Sequence, residues 1–386
     1  MQPPTQKSIT ILGVTGSIGS HTVDIIKDNP ELFNTTAIVA NNNYKKLIQI
    51  ATRIRPEYVC IINKKFEKEV KEHLFPLKIK VLSGQSGLDE ICKIKVDICV
   101  CAIMGFDGLS PTIKIIENCS TLAIANKESI VCGGALFIKQ CTKFNTKIIP
   151  LDSEHNSIYQ IIAGEKHGDI NKIYLTASGG PFLNRPISEY NHITKNEALN
   201  HPNWEMGQKI TIDSATLINK GLEIIETYFL FGIDKQKIDV IIHPESIVHA
   251  MISFNDGAIK SLLSQPNMRI AISYALGYPD RIPQKNMIFD LKKTFTLNFF
   301  PPENNIKHKA ITIAKNVLAE EGIMPIALNS ANEVFVNSFL ENKIKFTDII
   351  NNLEKILNKI NNRKIESLEH IYEVDKEIRS LSYSLL

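Results

Sequence analysis

The sequence has no cysteine after Cys141 and only one tryptophan, Trp204, in 386 residues. Its seven cysteines are an odd number, form no CxxC pair, and in several cases lie inside apolar runs. This pattern argues against a disulfide framework and is typical of small buried side chains in a reducing compartment. The lack of cysteine in the rest of the chain also leaves no thiol nucleophile there.

The sequence also lacks a large excess of either basic or acidic residues. The chain has 44 basic and 41 acidic residues, a formal net charge of +3. Nucleic-acid-binding proteins usually carry a clustered basic face, so this balance argues against that class. No apolar run approaches the roughly 20 residues that span a bilayer, and the polar segment 1–7 is too short for a signal peptide. We therefore expect a cytoplasmic protein that binds neither nucleic acid nor membrane.

The first 150 residues alternate short apolar strands with helical stretches. Strands that are apolar throughout belong in a parallel sheet with helices on both faces, so this region predicts a doubly wound, Rossmann-type α/β fold. The predicted strands are 8–12, 36–40, 58–62, 97–103, 121–125 and 147–151.

The remainder predicts a mixed α+β region followed by helices. Strands 173–176, 240–243 and 246–253 accompany one helix near 214–231. From Ile306 onward apolar residues recur at helical spacing in four segments, one of them with an N-cap at Thr347. The expected organisation is a dinucleotide-binding domain over 1–151, a catalytic domain over 152–277, an extended linker over 278–303 and a helical bundle over 304–386.

A glycine-rich turn, GVTGSIG at 13–19, joins the first strand to a helix. Glycines at such a turn let the backbone approach a pyrophosphate, which then lies at the helix N-terminus. The GxxGxxG spacing is weak as a bare pattern, and a tight structural turn is the alternative. The strand before it and the helix after it favour nucleotide binding.

The end of the second strand reads VANNNYKK at 39–46 and has no acid to bind a free ribose diol. Its amides, with Lys45 and Lys46 close behind, suit a 2′-phosphate, so NADPH is favoured over NADH. A polar turn without a ligand is the alternative.

Asp152 and Glu154 follow the predicted strand 147–151. In an extended segment, side chains two residues apart point to the same side. Converging carboxylates repel each other unless a cation or proton lies between them, and oxygen ligands suit Mg²⁺ or Mn²⁺ better than structural zinc. A solvated acidic loop is the alternative.

A second polar segment, 212–223, predicts a helix on which Asn219, Lys220 and Glu223 share one face. Ser214 is expected near the start of that helix, where a phosphate is stabilised. The alternative is a surface ion pair between Lys220 and Glu223, which contributes little.

Three other sites are candidates for binding. Lys127 follows an apolar strand and could polarise a carbonyl group, Ser178 opens a glycine turn that could hold phosphate, and the segment 201–207 around the only tryptophan resembles a lid. A solvated lysine, a plain turn and an aromatic packed on a helix are the respective alternatives.

These segments together resemble the deoxyxylulose-phosphate reductoisomerase family over nearly the whole chain. The motifs, in order, are GVTGSIG at 13–19, ANKES at 125–129, DSEHN at 152–156, SGGPF at 178–182, HPNWEMG at 201–207, DSATLINKGLE at 213–223, HPESIVH at 243–249 and ALNSANE at 327–333. Each motif alone is weak, but the ordered set is specific.

The resemblance implies a homodimeric enzyme that uses NADPH and Mg²⁺ or Mn²⁺, with Co²⁺ as a further candidate. It implies conversion of a small phosphorylated sugar, 1-deoxy-D-xylulose 5-phosphate, to 2-C-methyl-D-erythritol 4-phosphate in non-mevalonate isoprenoid synthesis. The implied metal ligands are Asp152, Glu154 and Glu223, which with Lys127 are also the implied catalytic residues. The implied substrate contacts are Lys127, Ser153, Glu154, Ser178, His201, Trp204, Ser214, Asn219, Lys220 and Glu223. The implied NADPH contacts are Thr15, Gly16, Ser17, Ile18, Asn43, Asn126, Glu128 and Gly207.

One departure from the family pattern concerns the cofactor. Asn41 and Asn42 replace the glycine and the basic residue or serine that often follow the second strand, whereas Asn43 matches. The contact to the 2′-phosphate is therefore left open, and Lys45 and Lys46 are candidates for it.

Other oxidoreductases fit less well. An aspartate-semialdehyde dehydrogenase needs a cysteine nucleophile in its substrate domain. A short-chain dehydrogenase needs a Tyr-x-x-x-Lys pair, and Tyr190 with Lys195 has the wrong spacing. A non-catalytic NADP-binding sensor would have no use for three carboxylates and a phosphate site.

Overall fold

The computed structural model describes residues 6–204, 206–284, 287–290, 292, 295–303 and 308–386. The strands are β1 Lys7–Leu12, β2 Phe33–Ala40, β3 Tyr58–Ile61, β4 Lys80–Ser83, β5 Val96–Cys101, β6 Cys119–Ile124, β7 Lys147–Pro150, β8 Ile170–Ala177, β9 Ile238–Ile242, β10 Val248–Phe254 and β11 Ile259–Leu263. The helices are α1 Ser17–Asp28, α2 Tyr44–Ile54, α3 Glu67–Leu74, α4 Gly84–Ile91, α5 Leu109–Ile115, α6 Lys127–Phe144, α7 Ser153–Ile161, α8 Lys195–Ala198, α9 Gln208–Ala215, α10 Ile218–Phe231, α11 Met268–Gly277, α12 Lys309–Glu320, α13 Met324–Leu340, α14 Phe346–Leu357 and α15 Leu368–Tyr383. Most of the segment 1–7 and the start of the helical pattern at Ile306 lie outside the described residues.

Strands β1 to β7 form one sheet in the order β4-β3-β2-β1-β5-β6-β7, and every pairing in it is parallel. The consecutive residues Ile9, Thr10 and Ile11 of β1 are all fully buried. Because successive side chains of a strand point to opposite faces, both faces of the sheet are covered. The predicted doubly wound, Rossmann-type fold is confirmed.

The strand order reverses between β1 and β5, the point at which open α/β sheets bind ligands. Gly13 follows β1 at this point with a φ of +89°. A Cβ atom there would lie 2.4 Å from the carbonyl oxygen of Ala102, the residue after β5. Only glycine allows the two strand ends to approach this closely.

Contacts between residues divide the chain into two compact units. The first comprises 1–129, 137–156 and 268–286, and it contains the parallel sheet. The second comprises 130–136, 157–267 and 287–386. The domain boundaries at 151, 277 and 303 remain a prediction.

The second unit contains a mixed sheet in the order β11-β10-β8-β9. Strand β8 is parallel to β9, and β10 is antiparallel to both β8 and β11. Four helices, α12 to α15, follow it. Buried side chains recur at helical spacing in each, as with Ile349, Leu353 and Ile356 in α14. The predicted α+β region and helical tail are therefore present.

Several local predictions were wrong. Strands β4 and β11 were not predicted because they are edge strands without a buried residue, and so lack an apolar run. Thr347 is not an N-cap: α14 begins one residue earlier, and the Thr347 hydroxyl donates a hydrogen bond to Asn191 at 2.9 Å.

The segment 278–303 was predicted to be an extended linker. Its described part has no helix and only an isolated β-bridge, at Phe300.

All seven cysteines are buried and free. Burial raises the pKa of the Cys60 and Cys141 thiols to about 12, so neither forms a thiolate at neutral pH. This agrees with the prediction that the cysteines act as small apolar side chains. No helix in the described part of the chain is both long enough and apolar enough to cross a membrane.

We predict that Gly13→Ala lowers the free energy of unfolding of the first unit by about 2 kcal/mol or more. A residue with a Cβ pays roughly 1–2 kcal/mol for the left-handed conformation, and the new atom would also overlap Ala102. Urea unfolding followed by circular dichroism measures the change.

Gly16→Ala, in the same turn, is the matched control. Its Cβ would lie 3.5 Å from the Gly13 carbonyl oxygen, which is an ordinary contact. Equal stabilities of the two variants would contradict the steric requirement at Gly13.

Candidate active site

The turn after β1 presents an open helix N-terminus. Gly16 is the N-cap of α1 and provides no side-chain hydrogen bond to the first turn. Gly16 and Ser17 are exposed, while the Lys46 ammonium donates to the carbonyl oxygen of Thr15 at 2.9 Å. The first N–H groups of a helix have no partner within the helix, so this helix start, with a lysine beside it, forms a suitable site for a diphosphate. Ile18 lies in this same first turn.

Asparagine side chains form hydrogen bonds in the turn that follows β2. Asn43 caps α2, because its side-chain oxygen accepts from the Lys46 N–H at 3.2 Å. The Asn42 side-chain oxygen accepts from the Asn63 amide at 2.8 Å. Of the two lysines considered for the 2′-phosphate, Lys46 is therefore tied to the glycine turn, while Lys45 is exposed.

Asn126 caps α6 at the end of β6. Its side-chain oxygen accepts from the Ser129 N–H at 2.8 Å, and its amide donates to the Ile103 carbonyl at 2.8 Å and to the Glu128 carboxylate at 3.0 Å. The next residue, Lys127, is only 6% exposed. The alternative of a solvated lysine is therefore wrong.

Asp152 and Glu154 do not lie in an extended segment, so that part of the prediction was wrong. Helix α7 begins at Ser153, and the Asp152 carboxylate accepts from the Glu154 N–H at 3.2 Å. The Ser153 hydroxyl donates to Glu154 at 2.5 Å, and the Lys127 ammonium lies 3.4 Å from Asp152. Asp152 caps α7, and Glu154 lies in the first turn of the same helix. The two carboxylates converge for this reason.

In the second unit, the glycine turn after β8 holds Ser178. The Gly180 N–H donates to the Ser178 hydroxyl oxygen at 3.2 Å. Gly180 has a φ of +69°, and a Cβ there would lie 2.9 Å from the carbonyl oxygen of Ser214. The turn therefore packs directly on the backbone that carries Ser214.

His201 has a defined tautomer. Its Nδ1 accepts backbone hydrogen bonds from Asn203 at 3.2 Å and Trp204 at 3.1 Å, so the proton lies on Nε2. Nε2 is 3.3 Å from the Ser178 hydroxyl oxygen and donates to it. Ser178 accepts two hydrogen bonds in this way, which leaves its own hydroxyl proton to donate to a third group.

The loop that carries Trp204 is attached to the β9–β10 connection. The Asn203 amide donates to the Pro244 carbonyl at 2.8 Å and to the Ser246 hydroxyl at 3.0 Å. The Trp204 ring lies 6.2 Å from the His249 ring, centroid to centroid. The loop ends at Gly207, the N-cap of α9.

The single helix predicted near 214–231 is two helices, α9 and α10. Leu217, between them, adopts a left-handed conformation with a φ of +60°. Ser214 therefore lies near the end of α9 rather than at a helix start, and the expected helix-dipole contribution to phosphate binding there was wrong.

The shared face of α10 is confirmed. The Asn219 amide and the Lys220 ammonium each donate to the Glu223 carboxylate at 2.5 Å. Glu223 is fully buried and Lys220 is 4% exposed. The alternative of a surface ion pair is therefore wrong, since this is a buried charge that needs its partners.

Asp152, Glu154 and Glu223 form an acidic group among the described residues. Each offers one carboxylate oxygen, and these oxygens lie within 4.8 Å of one another. Three carboxylates at this distance repel one another unless positive charge lies among them. An all-oxygen donor set suits a hard divalent cation such as Mg²⁺.

Sequence reasoning missed one buried ion pair beside the site. The Lys209 ammonium lies 3.0 Å from the Asp213 carboxylate, which is 1% exposed. The spacing of four residues was a usable signal, because such residues are neighbours on a helix. The signal was missed because α9 was not predicted.

We predict that the fluorescence of Trp204 changes as the pH falls below about 6.5, the ordinary pKa of histidine. Burial lowers the pKa of His201, so the neutral imidazole stabilises the loop above the ordinary pKa. That stabilisation is lost as the pH falls through the lowered pKa, because a protonated Nδ1 no longer accepts from Asn203 and Trp204. Emission from the only tryptophan is the measurement.

Two variants assign the titration. His201→Gln is expected to abolish it, whereas His249→Gln, which changes the other histidine beside Trp204, is expected to retain it. The reverse pattern would show that His249 protonation, and not the His201 cap, controls the signal.

Comparisons with known proteins agree with one another along the chain. The model of the family 1-deoxy-D-xylulose 5-phosphate reductoisomerase matches residues 9–134. The 1-deoxy-D-xylulose 5-phosphate reductoisomerase C-terminal domain matches 148–231, and the DXP reductoisomerase C-terminal domain matches 263–381. A 1-deoxy-D-xylulose 5-phosphate reductoisomerase from Clostridium acetobutylicum is 44% identical over 92% of this chain and 93% of its own length.

Solved structures are also similar over nearly the full length. The 1-deoxy-D-xylulose 5-phosphate reductoisomerase from Zymomonas mobilis, solved with NADPH, is 35% identical, with 99% of both chains covered and a TM-score of 0.93. A DOX-P reductoisomerase solved with NADPH, fosmidomycin and magnesium is 36% identical, with 98% of both chains covered and a TM-score of 0.90. This chain therefore belongs to the 1-deoxy-D-xylulose 5-phosphate reductoisomerase family.

Proposed function

We propose that the chain isomerises and reduces 1-deoxy-D-xylulose 5-phosphate to 2-C-methyl-D-erythritol 4-phosphate, with NADPH and a divalent cation, in non-mevalonate isoprenoid synthesis. The observation that carries the proposal is the acidic group of Asp152, Glu154 and Glu223, in a chain of this family. The related structures solved with NADPH, magnesium and fosmidomycin support the same assignment.

NADPH would bind in the proposed domain 1–151, at the carboxyl end of the parallel sheet. The exposed helix start at Gly16 and Ser17 suits the diphosphate, with Thr15 and Ile18 beside it. Asn43 and Lys45 at the end of β2 would face the 2′-phosphate. Further contacts are proposed for Asn126, Glu128 and Gly207.

The metal would be held by Asp152, Glu154 and Glu223 in the proposed catalytic domain 152–277. Mg²⁺ fits these oxygen donors, and Mn²⁺ and Co²⁺ are proposed as alternatives. When bound, NADPH supplies a hydride and the cation supplies a Lewis acid. Lys127, buried beside Asp152, adds a fixed positive charge where negative charge develops on the substrate.

The phosphate group of the substrate would bind Ser178, Ser214, Asn219 and Lys220. The Ser178 hydroxyl is oriented by the Gly180 N–H and by neutral His201, so it donates to an anion without rearrangement. Binding energy at the phosphate then orients the reacting carbons, and Ser153 contacts the substrate beside the metal ligands.

The loop 201–207 is proposed to close over the substrate. Trp204 is half-buried and would exclude water from the reacting groups when it packs on the ligand. A homodimer in the cytoplasm is also proposed. Seven free buried thiols support a reducing compartment.

The first test follows NADPH absorbance with purified protein, 1-deoxy-D-xylulose 5-phosphate and Mg²⁺. We expect oxidation of NADPH that stops on addition of a chelator and resumes with excess Mg²⁺ or Mn²⁺. If the protein is folded and binds NADPH but does not oxidise it with either metal, the proposed reaction is wrong.

Asp152→Asn tests the metal site. We expect turnover to fall by at least about a thousandfold, with the dissociation constant for NADPH unchanged within about twofold. Glu72→Gln is the matched control, because Glu72 is an exposed acid in a weak ion pair with Lys68. Full activity of Asp152→Asn would show that the Asp152 carboxylate is not needed to bind the metal.

Gly16→Ala tests the cofactor turn. The added methyl group fits the protein, so folding is preserved, but it stands where a diphosphate must approach the backbone. We expect NADPH to bind about tenfold more weakly by fluorescence titration. Gly168→Ala, which places its methyl group in open space, is expected to bind NADPH as the wild type does. An unchanged affinity of Gly16→Ala would place the diphosphate elsewhere.

A further inference from the structure

Helix α9, which leads to Ser214, cannot hold its position by itself. It has eight residues, and isolated helices shorter than about 12 residues are marginal in water. It follows the loop 201–207 and is ended by the left-handed Leu217. Its location must therefore be set by contacts with other elements.

One buried polar contact provides such an attachment. The Asn332 amide, on α13, donates to the Asp213 carboxylate at 2.8 Å, and both side chains are almost wholly buried. The other Asp213 oxygen faces Lys209 at 3.0 Å. Lys209 belongs to α9 itself, so of these two partners only Asn332 connects the helix to another element.

The other polar atom of the Asn332 side chain makes no comparable contact. The side-chain oxygen is buried and has no hydrogen-bond partner among the described residues. A buried unsatisfied polar atom costs about 1–3 kcal/mol, so an apolar side chain would suit the core of α13 better. What the asparagine provides here is the N–H that Asp213 accepts.

The hydrogen bond between Asn332 and Asp213 lies next to the proposed phosphate site. Ser214 follows Asp213, and its carbonyl oxygen packs on Gly180, two residues after Ser178. A displacement of α9 would either press Ser214 onto Gly180 or separate Ser214 from Ser178. A misplacement of about 1 Å can cost on the order of a hundredfold in rate.

We propose that Asn332, in the C-terminal helical region, is a positioning residue for the phosphate-binding segment 208–217. It acts through Asp213 and does not touch the substrate. The inference rests on the proposed function for its kinetic consequence, while the attachment of α9 is a property of the fold alone.

Asn329 provides a matched control. It is also fully buried on α13, and its side-chain oxygen likewise has no hydrogen-bond partner within the described ranges. Its amide donates to Glu333 at 3.3 Å, within α13 itself. Asn329→Ala therefore removes the same groups as Asn332→Ala without releasing α9.

The test compares amide hydrogen exchange of segment 208–217 and steady-state kinetics. For Asn332→Ala we expect exchange about tenfold faster in this segment, a KM for 1-deoxy-D-xylulose 5-phosphate raised about tenfold, and unchanged NADPH affinity. Asn329→Ala is expected to match the wild type in both segment exchange and KM.

Two further variants separate positioning from packing. Asn332→Asp keeps the shape but places a carboxylate against Asp213, so it is expected to loosen segment 208–217 at least as much as alanine does. The double variant Asn332→Asp with Asp213→Asn reverses the donor and acceptor and is expected to restore slow exchange.

The outcomes are distinguishable. Equal exchange in Asn332→Ala and Asn329→Ala, or failure of the double variant to restore slow exchange, would overturn the proposal. Faster exchange with an unchanged KM would overturn it as well. If the wild type does not turn over at all, the proposed reaction fails, and the exchange results alone then decide whether Asn332 fixes α9.

Discussion

A fully buried carboxylate, Glu223, constrains the part of the site that lies on α10. Burying an unpaired charge costs several kcal/mol, so the helix must supply partners. Asn219 and Lys220 do so from the preceding turn, each at 2.5 Å. A cation held by the carboxylate would share this role and leave the Lys220 ammonium able to contact a substrate phosphate. In the proposed function, metal binding and phosphate binding would therefore both depend on this one buried acid, as the side-chain contacts within α10 already do.

Unusual backbone conformations set the rest of the local geometry. Gly13 and Gly180 have positive φ values that let strand ends and turns approach other backbone atoms closely. Leu217 adopts the left-handed region without being glycine, which costs roughly 1–2 kcal/mol. Such strain persists where surrounding contacts impose it, and functional sites are its usual location. The break at Leu217 separates the segment with Ser214 from the helix with Glu223.

The class of fold and the local grouping of several proposed site residues were predicted from the sequence because they depend on local patterns. Apolar strands predicted the parallel sheet, and residue spacing predicted the face shared by Asn219, Lys220 and Glu223. Strands β4 and β11 gave no signal because edge strands need not be apolar. The convergence of Asp152 and Glu154 was expected for the wrong reason, since a helix cap brings them together instead of an extended segment.

The sequence by itself determined the class of fold, the glycine turn after the first strand and the segments that carry the acidic residues and the proposed phosphate contacts, because hydrophobic periodicity and short-range spacing are local properties. Only the tertiary structure decided the break at Leu217, the tautomer of His201 and the contact of Asn332 with Asp213. Those two residues are 119 positions apart. Their contact depends on how α13 packs against α9, and no local pattern of residues encodes that packing.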